Sequence, residues 1–96
     1  MMKEDGIIDW AAFGVLLKAA RLNRGFSRGQ RLCEEVKVKT GMSISERTIY
    51  ALEEGTRTPS TDAFIALQQV LPELRDPEFL KPLFRVNGIT VAIVEF

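Results

Sequence analysis

The sequence predicts a mainly α-helical domain of five short helices that ends in a β-strand or hairpin. Three observations carry this expectation. Apolar residues recur at helical spacing through most of the chain, a serine or aspartate precedes each apolar run, and a glycine or proline follows it. The last eight residues, ITVAIVEF, then switch to β-branched and aromatic types. Ninety-six residues, 46% of them apolar, suffice for one small core. The chain is therefore expected to be a single domain over residues 1–96, helical across 8–84 with a terminal strand across 85–96.

Apolar residues at Ile8, Trp10, Ala11, Phe13, Val15, Leu16, Leu17, Ala20 and Leu22 fill a broad face of a first helix. Asp9 is placed to cap it, and Gly25, after Asn23 and Arg24, to stop it. Ser27 stands three residues before Gln30, the spacing of a capping box. A second helix is expected to open there, with Leu32, Cys33, Val36 and Val38 inward and Gly41 at its end. Ser43-Ile44-Ser45-Glu46 repeats the pattern, so a third helix should begin within a residue or two of Ser45. Ile49 and Leu52 share its inner face, Glu46, Arg47, Thr48 and Tyr50 are expected to point outward, and Gly55 closes it.

Pro59-Ser60 restarts the chain. Ser60 reads as the N-cap of a fourth helix and Asp62 as a favourable charge in its first turn. Ala63, Phe64, Leu67, Val70 and Leu71 form its inner face, which stops before Pro72. Asp76-Pro77 is expected to start a fifth, short helical piece through Phe79, Leu80 and Leu83, limited by Pro82. Asn87-Gly88 is a turn signal ahead of the strand from Ile89 to Phe96, and Leu83-Phe84-Arg85-Val86 is placed to pair with that strand in a hairpin.

Composition narrows the chemistry. Net charge is zero and the pI is about 6.3, so bulk charge points to no particular partner. Its distribution is uneven: from Lys18 to Arg57 there are nine basic against five acidic residues, which gathers positive charge over the third helix and its neighbours. One cysteine, Cys33, and no histidine leave nothing for an internal disulfide and little for zinc or haem. Cys33 reads as a small core residue. There is no histidine base beside a nucleophile, no glycine-rich phosphate loop and no carboxylate cluster in an apolar setting, so neither an enzyme nor a cofactor, metal or small-molecule site is expected. The opening MMKEDG lacks an apolar run and no segment is long enough to span a bilayer, from which a soluble, cytoplasmic protein is expected.

A sharper signal lies between Phe13 and Leu71. Leu16, Leu17 and Arg21 are followed by Leu32-Cys33, then by Gly41, Ile49, Glu53, Gly55 and Pro59. The spacing Ile-x-x-x-Glu-x-Gly-x-x-x-Pro, here Ile49, Glu53, Gly55 and Pro59, is the most specific part. Residues 13–71 thus resemble the Cro/C1-type helix-turn-helix family, the phage-repressor-like DNA-binding domains, in which Leu-Ala usually stands where this chain has Leu32-Cys33. The segment between Cys33 and Ile49 is longer than the family norm, so the second helix or the turn after it is expected to be extended.

The resemblance implies a five-helix, repressor-like helix-turn-helix domain whose third helix enters the major groove of double-stranded DNA with its first turn nearest the bases. On that expectation Arg47 is the first choice for reading a base. Its planar fork can donate two hydrogen bonds to guanine O6 and N7, worth about 1–3 kcal/mol of discrimination. Glu46 can accept from a cytosine amino group or cap its own helix through Ser43, Thr48 can meet a thymine methyl or a phosphate, and Tyr50 can reach the backbone or a base edge. The plain alternative for all four is a solvated helix face. Ser27, Gln30 and Arg31 at the start of the second helix, and Arg57 after the third, are candidate phosphate contacts, because a helix start offers free N–H groups and partial positive charge. The family's phosphate-contacting glutamine falls near Gln30. Arg24 and Arg28 read as solvating the loop around Gly25. The resemblance also places Arg21 and Glu53 inside the scaffold as an ion pair.

A strand at the end of a helical domain carries an unpaired edge. Pairing with the same strand of a second copy would cover it and bury Ile89, Val91, Ile93 and either Val94 or Phe96, and a two-fold dimer suits near-palindromic DNA. The other solution is an internal hairpin folded back on the first and fifth helices. The function expected from the sequence is a sequence-specific double-stranded DNA-binding regulator that represses by occupying an operator as a homodimer. The alternative is a helix-turn-helix scaffold for protein–protein contact, an antitoxin or adaptor, which the neutral charge and Glu46, Glu53 and Glu54 near the third helix favour.

Overall fold

The computed structural model describes residues 9–76. Within them the chain forms four α-helices, α1 (Trp10–Asn23), α2 (Gly29–Thr40), α3 (Glu46–Glu54) and α4 (Thr61–Val70), followed by a 3₁₀ turn over Pro72–Arg75. Among the described residues there is no strand. The expected fifth helical piece after Asp76, the terminal strand and the interface residues Ile89, Val91, Ile93 and Phe96 lie outside the described residues. The 3₁₀ turn was not anticipated. Pro72 cannot continue α4, but its fixed φ suits the first position of a new tight turn.

Local chemistry explains most of the boundaries. Asp9 accepts from the Ala12 N–H at 3.1 Å and caps α1, as expected. Ser60 caps α4 by accepting from Ala63. The cap of α3 is Ser45, which accepts from the Thr48 N–H at 3.1 Å. Ser43, the first residue of the expected capping box, instead accepts from the Lys37 ammonium at 3.1 Å. Gly41 and Gly55 end α2 and α3 with φ of +79° at both, the left-handed conformation in which a Cβ would be strained.

The capping box expected at Ser27 does not form. Arg28 occupies the N-cap of α2 with no side-chain cap bond, and Ser27 is exposed with its own N–H on the Gly25 carbonyl. The first N–H of α2, on Gly29, finds its acceptor across the fold in the Tyr50 hydroxyl at 2.9 Å. A side-chain cap is unnecessary where a distant residue supplies the acceptor.

Core packing follows the i, i+3, i+4 positions more narrowly than the expected faces. Phe13, Leu17 and Ala20 of α1 form one core cluster with Leu32 and Val36 of α2, Ile49 and Leu52 of α3, and Ala63, Phe64, Ala66, Leu67 and Val70 of α4, completed by Ile44, Leu71 and Leu74. Val15 (65% exposed), Leu22 (49%) and Val38 (79%), all expected inward, face solvent. Val15 and Val38 each stand two residues from a core position, about 200° round the helix, so each occupies the opposite face. Cys33 is half-buried against the core. Trp10 packs edge-on against Phe13 and Phe64, with centroids 5.3 and 5.8 Å away.

α1 lies directly on α3. A Cβ on Gly14 would stand 2.4 Å from the Leu52 carbonyl oxygen, so glycine is what allows the two helices to approach this closely. Gln68 is fully buried; its Nε2 donates to the Leu74 carbonyl at 3.0 Å and fastens the 3₁₀ turn to α4. Its Oε1 has no partner among the described residues.

Candidate nucleic-acid interface

α2 and α3 are joined by the five residues Gly41–Ser45 and pack on one another, while α1 and α4 brace them from behind. α2 runs 12 residues, and with this five-residue connection it accounts for the extension expected between Cys33 and Ile49.

A buried ion pair fixes α3 to α1. The Arg21 Nε donates to one Glu53 carboxylate oxygen at 2.6 Å and its Nη2 to the other at 3.1 Å, while Nη1 reaches the Phe26 carbonyl at 2.8 Å. Both side chains are under 5% exposed. The hydrogen bond and charge of Glu53 outweigh burial and raise the Arg21 pKa above its ordinary value. The pair forms as the family resemblance implied. The same guanidinium stands 5.6 Å from the centroid of the Tyr50 ring, within cation–π range.

With Ile49, Leu52 and Glu53 turned inward, the opposite stripe of α3 is Arg47, Ala51 and Glu54, at i, i+4 and i+7. Arg47 and Glu54 are exposed and Ala51 is half-buried. Among the described residues nothing engages the Arg47 guanidinium. Glu46 is exposed on the edge toward α2, where its Cγ would lie 3.3 Å from a Cβ on Gly29. Thr48 is half-buried, its Oγ1 accepting from Ser45 Oγ at 2.9 Å and from Arg57 Nη1 at 3.4 Å. Tyr50, expected to point outward, is half-buried, with its hydroxyl on Gly29. At about 100° from Ile49 it occupies the flank of α3, within reach of the start of α2.

The outward residues expected on α3, Glu46, Arg47, Thr48 and Tyr50, thus divide: Glu46 and Arg47 are exposed, while Thr48 and Tyr50 are half-buried on its flanks. Ala51, not singled out from the sequence, also lies on this outer stripe; its spacing from Arg47 was legible, but a small apolar residue suggests core.

The expected phosphate contacts fall at two places. Ser27, Gln30 and Arg31 cluster, exposed, around the start of α2, with Gln30 Nε2 3.4 Å from Glu34. Arg57, also exposed, borders a shallow cleft of about 460 Å³ between the starts of α3 and α4, together with Ser45, Thr48 and Ser60. Arg24, expected only to solvate its loop, pairs with Glu73 of the 3₁₀ turn at 3.4 Å. Among the described residues no three His, Cys, Asp or Glu side chains gather as a metal site, and no helix is long and apolar enough to cross a membrane.

Two short helices at the surface, one presenting its outer face and the other its start, braced from behind by two more, define a helix-turn-helix protein. The helix-turn-helix family model matches residues 17–75, more than half of the chain. The chain belongs to the Cro/C1-type helix-turn-helix family, a family of DNA-binding regulators. Comparison with curated proteins and with solved structures gives no match.

Proposed function

We propose that the chain is a sequence-specific double-stranded DNA-binding transcriptional regulator that acts in the cytoplasm as a repressor, occupying an operator as a homodimer. Arg47 carries this reading: its guanidinium has no partner among the described residues and stands on the exposed stripe of the helix that the family uses for reading. Arg47 contacts a guanine from the major groove, Ala51 lies against a neighbouring thymine methyl, and Glu46 accepts from a cytosine amino group at the edge of the same surface. Thr48 acts mainly through Arg57, whose guanidinium it holds. Arg57 on one side, and Ser27, Gln30 and Arg31 on the other, grip phosphates and fix the register of α3 in the groove. Ile89, Val91, Ile93 and Phe96 pair two copies so that both α3 helices face one side of the duplex.

Salt dependence of duplex binding tests the reading. Two arginines per protomer on phosphates give a slope of log affinity against log salt of about −2 per protomer and about −4 for a dimer. A slope near zero, from folded protein, would instead favour a protein-binding scaffold, for which the exposed Glu46 and Glu54 flanking Arg47 are the supporting observation.

A further inference from the structure

We propose that Tyr50 is a positioning residue that locks the first turn of α2 onto α3, so that the phosphate grip and the reading face move as one unit; this rests on the DNA-binding reading. The Gly29 N–H donates to the Tyr50 hydroxyl at 2.9 Å, joining residues 21 apart in sequence. It is the first N–H of α2, and it has this acceptor in place of a side-chain cap at Arg28. The contact is built closely on both sides. A Cβ on Gly29 would stand 3.1 Å from the Tyr50 ring, tighter than ordinary van der Waals contact, so the lack of a side chain there eases the ring's approach to the backbone. On the other side the ring lies 5.6 Å from the Arg21 guanidinium, which Glu53 and the Phe26 carbonyl hold. A continuous chain of contacts thus runs from the loop before α2, through α1 and α3, and back to the first residue of α2. Ser27, Gln30 and Arg31 sit at that first turn, and Arg47 sits one turn before Tyr50 on α3. A slip of α2 along α3 would break the grip while leaving each grip residue intact.

The test is a double-mutant cycle on the full chain, read as affinity for the duplex that the parent protein selects. Tyr50→Phe keeps the ring and removes only the hydroxyl. It should weaken binding about five- to tenfold, the size of one lost hydrogen bond, with base preference unchanged. Most of that loss should vanish in the Arg31→Ala background, because both changes disable the same grip. It should persist in full beside Arg57→Ala, which acts at the other end. Amide exchange supplies a reading without DNA, since the Gly29 N–H should lose protection in Tyr50→Phe. Unchanged Gly29 protection, unchanged affinity, additivity with Arg31→Ala or relaxed base preference would each overturn the proposal. Absence of duplex selection by the parent chain would overturn the DNA-binding reading and this proposal with it. Selection by the parent with no effect of Tyr50→Phe overturns the proposal alone.

Discussion

Arg47 and Arg21 are the same residue type in opposite settings, and each setting decides what a substitution does. Arg47 is exposed and has no hydrogen-bond or ion-pair partner among the described residues, so Arg47→Ala should leave thermal unfolding unchanged. At the base it reads, discrimination should fall by about 1–3 kcal/mol, measured by competition between duplexes. Arg21 is 3% exposed and bound to both oxygens of Glu53. Arg21→Met strands a buried carboxylate and should cost about 3–5 kcal/mol in denaturant unfolding, because the desolvated charge keeps its penalty and loses its partner. Cys33 offers a pH readout. Burial first, then the charge of Glu46, push its thiol above the ordinary 9.0. Iodoacetamide should therefore modify it with a midpoint above 9.0. Its contribution to stability should hold below that value and be lost as pH rises from there through the folded-state pKa, since the unfolded chain ionises first.

The helices themselves were legible in sequence wherever the deciding chemistry was local. Asp9, Ser60, Gly41 and Gly55 act on groups within a few residues, and the boundaries they mark are those observed. The start of α2 was misread because its deciding partner is Tyr50, and no local pattern carries a contact across 21 residues. The apolar faces of α1 and α2 were drawn too wide for a related reason: Val15 and Val38 have core composition but the wrong angle. Glycine separates local from tertiary effects in a way that can be measured. Gly41→Ala meets nothing within 4 Å and suffers only its positive φ, so it should cost about 1 kcal/mol. Gly14→Ala drives a Cβ onto the Leu52 carbonyl and should cost about 2–3 kcal/mol by thermal or denaturant unfolding. Equal effects at the two positions would contradict the close α1–α3 packing.

For the molecule as a whole, the family was within reach of the sequence, because the spacing of Ile49, Glu53, Gly55 and Pro59 records how α3 is anchored. The contacts made by the residues on its flanks were not. Thr48 and Tyr50 have the chemistry of base readers, and no local pattern announced that they also bond Arg57 and Gly29 within the fold. The proposed function rests on α3 reading duplex DNA through Arg47. The most direct measurement is selection from a random duplex library at near-physiological salt, run in parallel with the parent chain and with Arg47→Ala. The predicted result is a sequence enriched by the parent as an inverted repeat, in which Arg47→Ala loses preference at one guanine per half-site and keeps the rest. The same sequence chosen with equal strength by both proteins, or none chosen by the folded parent, would contradict it.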